Sequence, residues 1–93
     1  MKREARVEKI PMPRALMLLG IGGSTHKACL KKGTLPTPIK ISTRTDGYYS
    51  HELEALIAAC NSGADADGMR AIVKQIHEER RVALAQNFQR FAV

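Results

Sequence analysis

Aromatic residues are scarce: the 93-residue chain has two tyrosines, two phenylalanines and no tryptophan. Four rings are too few for the exposed stacking platform on which RNA-binding modules splay bases, so RNA ranks below DNA as a partner. Cysteine is equally scarce. Cys29 and Cys60 fall on separate expected helices with no CxxC spacing, and read as reduced, buried small hydrophobes rather than a disulfide framework. His26 and Cys29, at i and i+3, lack two further ligands at matching spacing, so neither a metal nor a cofactor is expected. No apolar run approaches the roughly 20 residues a membrane helix needs, and residues 15–19 are too short for a signal-peptide core. A cytoplasmic protein is expected. The set of nucleophile, base and acid that catalysis requires is missing as well, and the chain is not read as an enzyme. Gly20-Ile21-Gly22-Gly23 begins like a dinucleotide fingerprint, but Thr25 stands where the third glycine belongs. Lys27 follows Ser24-Thr25, the reverse of the P-loop order.

Acids are the minority charge. Nine face 15 lysines and arginines, for a net charge of +6, and the commonest polyanion in a cell is nucleic acid. Residues 1–14 hold five cations and two acids. Ninety-three residues make one domain, which buries only about three fifths of its unfolded surface, so stability is modest or shared with a partner.

Residues 1–12 read as a flexible basic arm. Pro11 and Pro13 bar a helix from running through, although Pro13 can open one, and Ala15-Leu16-Met17-Leu18-Leu19 then forms a short apolar helix that stops at Gly20. Gly22 and Gly23 turn the chain into Ser24, whose hydroxyl is placed to cap a second helix. Lys31, Lys32 and Gly33 end that helix after about two turns, cations at its negative end and glycine where φ turns positive. A short helix, a glycine turn and a two-turn helix outline a helix-turn-helix, whose second helix enters a DNA groove.

Pro36 and Pro38 hold residues 34–38 extended. Ile39-Lys40-Ile41 alternates like a strand, Asp46-Gly47 is a hairpin-forming dipeptide, and Tyr48-Tyr49 is the returning strand, so residues 39–49 read as a small hairpin or wing. Ser50 is placed to cap the next helix, with Leu53, Leu56, Ile57 and Cys60 as its buried stripe. Asp65 caps a last helix that runs to about Gln86, with Met69, Ile72, Val73 and Ile76 inward. His77 to Arg81 are all polar and read as projecting into solvent or toward a partner, and Phe88 and Phe91 pair in the tail.

This order resembles the AlpA-type family of small phage and mobile-element regulators, relatives of the MerR-like winged-helix excisionases. The matching features are Gly20, Ser24-Thr25, Lys31-Lys32-Gly33, Pro36-Thr37-Pro38, Ile39-Lys40-Ile41, Arg44, and Tyr48 ahead of Glu52-Leu53-Glu54-Ala55-Leu56. The chain departs from the family where His26, Lys27 and Ala28 replace its usual aromatic and arginine, and where Leu35 and Tyr48 replace its usual Phe and Trp. The resemblance implies a mainly α fold with a small β-hairpin: a winged helix-turn-helix over 13–61, plus an additional C-terminal helix and tail over 62–93. It also implies sequence-specific binding of double-stranded DNA, to assist a site-specific recombinase (an integrase) in excision, to regulate transcription, or both.

On that fold Ser24, Thr25, His26 and Lys27 occupy the end of the second helix that approaches base edges, and Lys31 lies one turn on, toward the backbone. Cys29 and Leu30 face inward against Leu16 and Leu19. Lys40, Thr43 and Arg44 on the wing reach an adjacent minor groove or its phosphates. The C-terminal helix is assigned to self-association along DNA or to a recombinase. The competing reading is a small basic protein-interaction module of anti-activator type, without specific DNA binding.

Overall fold

The computed structural model describes residues 8–92, and their side chains through residue 85. It is mainly helical with a small antiparallel sheet: β1 (Lys9–Pro11), α1 (Met12–Leu19), α2 (Gly23–Lys32), β2 (Ile39–Lys40), β3 (Asp46–Tyr49), α3 (Ser50–Asn61) and α4 (Ala66–Ala92). Of the expected basic arm, residues 1–7 lie outside the described residues, and residues 9–11 are not an arm. They form the edge strand β1 of a three-stranded sheet ordered β1-β3-β2. Lys9 pairs with Tyr49, Ile10 with Tyr48 and Pro11 with Gly47. An edge strand tolerates the missing N–H of Pro11, and the pairing buries Ile10 against Tyr48, Ala15 and Leu53.

The hairpin forms, but Asp46-Gly47 is not its turn. Both residues lie within β3, opposite Lys40 and Ile39. The reversal occupies Ser42 to Thr45, where Ser42 N–H donates to Thr45 O at 3.1 Å and Ile41 N–H to the same oxygen at 2.8 Å. Thr43 and Arg44 are therefore its tip.

Helix starts differ from expectation in two places. Gly22, whose carbonyl accepts the His26 N–H at 3.0 Å, is the N-cap of α2 and not Ser24, which sits inside the first turn without a capping bond. Tyr49 precedes α3, because Ser50 is used elsewhere: its N–H donates to Glu8 O at 2.8 Å, and its Oγ accepts the Glu8 N–H at 3.2 Å. Asp65 does cap α4, its Oδ1 accepting the Gly68 N–H at 2.8 Å. At the far end of α2, Gly33 adopts φ +77°, where a side chain would clash with the carbonyl that follows.

Leu35, Leu56, Ala59, Met69, Val73 and Ile76 form the main core, with Leu19, Ile21, Cys29 and Leu30 packed at its edge. Burying each of the large aliphatics contributes about 1.5–3 kcal/mol. One expectation fails here. Cys60 is exposed, since the buried face of α3 runs through Leu53, Leu56 and Ala59. The first half of α4 supplies three of the six core residues, Met69, Val73 and Ile76. Within the otherwise exposed polar run at its middle, Arg80 turns inward: its Nε and Nη2 donate to the two Glu52 carboxylate oxygens at 2.8 and 2.7 Å. The Phe88 and Phe91 side chains lie outside the described residues.

Candidate nucleic-acid interface

α2 is two-faced. Ser24, Lys27, Ala28 and Lys31, at i, i+3, i+4 and i+7, form one exposed face with Thr25 beside it. The helix contains no acid, and its last turn carries Lys31 and Lys32. Its first N–H groups have no side-chain cap, so they stay open at the positive end of the helix dipole.

His26 does not belong to that face, which corrects its expected place at the groove. Only 7 % of it is exposed. Its Nε2 lies 2.8 Å from Tyr48 Oη, which donates its one proton to Pro36 O at 2.7 Å. Nε2 must then carry a hydrogen and donate it to the phenol oxygen, leaving Nδ1 as the protonation site. The signal was present in the spacing: His26 precedes Cys29 and Leu30 by three and four residues, and these pack inward. The relay His26–Tyr48–Pro36 ties the first turn of α2 to β3 and to the linker that follows α2.

Burial governs both rings. It pushes the Tyr48 hydroxyl up to about 12, with the nearby Arg80 guanidinium pulling the other way and Glu52 and Cys29 adding to the rise. It lowers the His26 imidazole below the ordinary histidine value. The folded state therefore prefers neutral His26, and the unfolded chain takes up the proton first. Stability from this residue is complete above about pH 6.5 and is lost as pH falls through that value toward the depressed folded one. Urea unfolding between about pH 8 and about pH 5 should show that loss, and His26→Gln, which keeps a donor for Tyr48, should flatten it. An unchanged slope in the variant would reject the assignment.

On the hairpin, Lys40, Thr43 and Arg44 are all exposed. Lys40 Nζ lies 3.2 Å from Asp46 Oδ1, with both side chains largely in solvent, so this pair contributes little and leaves the lysine available. The structure thus groups Ser24, Thr25, Lys27 and Lys31 on one helix and Lys40, Thr43 and Arg44 on one hairpin. His26 is a link between their supports. Sequence reasoning missed the polar residues that hold this arrangement from behind: Tyr48, Glu52, Arg70, His77 and Arg80. Their partners lie 12 to 43 residues away in the chain, beyond any periodic signal. Among the described residues, no helix is long and apolar enough to cross a membrane. No protein-family model matches the chain, and neither a curated protein nor a solved structure does.

Proposed function

We propose that the protein is a winged helix-turn-helix DNA-binding protein, with α2 as the recognition helix and the β2–β3 hairpin as the wing. In the AlpA-like role that its sequence resembles, it binds a specific site on a phage or integrative element and acts in excision beside a recombinase, in transcriptional control, or in both. One observation carries this reading: α2 exposes an acid-free face of Ser24, Thr25, Lys27 and Lys31, while His26, Cys29 and Leu30 fix its other face to the body. Ser and Thr bond phosphates or base edges, and lysine favours guanine O6 and N7. Arg44 at the hairpin tip suits a narrow minor groove, where a weakly hydrated planar cation is favoured.

The test is selection of a preferred duplex from a random pool, followed by titration. Lys27→Ala should cost about 1–3 kcal/mol on the selected duplex, and Arg44→Ala should reduce the salt slope by about one. With roughly four to six phosphates neutralised, log K falls with log salt at about −0.9 per contact. Circular dichroism should stay unchanged in both variants, since both side chains are exposed. Equal binding by the double variant would remove the surface.

The protein-interaction reading draws on a different face. Met17 and Leu18 of α1 are 79 % and 47 % exposed, more apolar surface than a short helix needs to leave in water. That reading predicts salt-sensitive protein binding with no preference between selected and random duplexes.

A further inference from the structure

α2 and the hairpin are joined by residues 33–38, which have no secondary structure of their own. Such a linker ordinarily lets the elements at its ends shift against each other. Here Leu35 and Pro36 are buried, and side chains of α4 grip the backbone at both ends of the segment. Arg70 Nε donates to Lys32 O, the last carbonyl of α2, at 2.8 Å. His77 Nε2 accepts the Thr37 N–H at 3.1 Å, and Arg80 Nη1 donates to Thr37 O at 2.8 Å. Pro36 O, between them, is taken by Tyr48.

Arg70, His77 and Arg80 are spaced by seven and by three residues, which places them along one side of α4. The helix between the first and last covers about 15 Å. Each guanidinium is itself held: Arg70 Nη1 bonds Asp67 at 2.8 Å, and Arg80 is bidentate on Glu52. Arg70 and His77 are exposed, so they add little to the apolar core. What they supply is a fixed distance between the end of α2 and the start of β2.

We infer that α4 is a splint that sets the spacing of α2 and the hairpin, with Arg70, His77 and Arg80 as positioning residues for the DNA surface. This rests on the reading proposed above. The consequence falls on selectivity. Phosphates are contacted at many spacings of two elements, whereas base edges are met together only in one register.

Arg80 also neutralises buried Glu52, so Arg70→Ala and His77→Ala, singly and combined, are the informative variants. Residual dipolar couplings read the geometry without DNA. In the unaltered protein α2 and the hairpin should fit one alignment tensor. In the double variant they should need two, while the thermal midpoint moves by only a few degrees. Arg70→Ala combined with His77→Gln, which keeps an acceptor for Thr37 N–H, should restore the single tensor that Arg70→Ala with His77→Ala loses. On the duplex selected by the unaltered protein, the double variant should lose about tenfold in affinity and on random duplex less than about twofold. A single tensor in the double variant would overturn the inference, and so would equal losses on both duplexes, which would reduce the effect to a missing charge. If the tensor splits but the unaltered protein selects no duplex, the DNA reading fails and the splint stands.

Discussion

Arg80→Ala is expected to lower the unfolding free energy by about 3–5 kcal/mol, because it removes one partner of a buried ion pair and leaves the other. Glu52 is 3 % exposed and receives two hydrogen bonds from the guanidinium. Nothing in water can replace them without opening the seam between α3 and α4. The same substitution strips Thr37 O of its donor. A domain of this size holds only about 5–15 kcal/mol in total, so the loss is a large share of its stability. Urea denaturation followed by circular dichroism measures the loss. Replacing both partners, Glu52→Leu with Arg80→Met, should cost far less than Arg80→Ala alone, since an apolar pair leaves no bare carboxylate. Equal costs for the single and the double variant would mean that packing, and not charge, holds this seam.

The parts of the fold that were legible in the sequence are those written locally. Glycines at 20 and 33 end helices because their backbones turn left-handed there, Asp65 caps because its carboxylate is three residues from an open N–H, and Met69, Val73 and Ile76 repeat at the helical period and are buried. The exposed lysines of α2 and the hairpin tip were legible for the same reason. What was not legible is set by contacts between distant residues. β1 is three residues long and contains a proline, so it has no period of its own and exists only because β3 is there to pair with. His77 and Arg80 read as a solvated polar face because nothing near them in sequence shows that the Thr37 backbone waits opposite. His26 lay between the two kinds: its spacing pointed inward, but its polarity pointed outward. Tyr48 decided the matter by offering a buried oxygen.

Gly47→Ala should be comparably damaging, for a reason of space rather than backbone angle, since Gly47 is not among the glycines with positive φ. A methyl carbon there would lie on the carbonyl oxygen of Ile10, 2.7 Å from Ile41 Cδ1 and 2.9 Å from the Ile10 carbonyl carbon. Two of the three obstacles are backbone, and side-chain rotation cannot clear them. β1 would have to leave the sheet. Its departure exposes Ile10 and opens the cluster of Ala15, Tyr48 and Leu53, and it releases the bonds between Ser50 and Glu8. Lost burial of one aliphatic side chain together with two or three hydrogen bonds comes to about 3–5 kcal/mol. Gly22→Ala is the control: nothing lies within 4 Å of a methyl at that position, and the helix start should lose under about 1 kcal/mol. Amide exchange locates the damage as well as sizing it. In Gly47→Ala the Ser50 N–H should lose protection before the amides of α4 do, because its acceptor, Glu8 O, is carried off with β1. Retained protection at Ser50 with unchanged stability would mean that the first strand does not hold the hairpin in place, and that the hairpin stands on β2 and β3 alone.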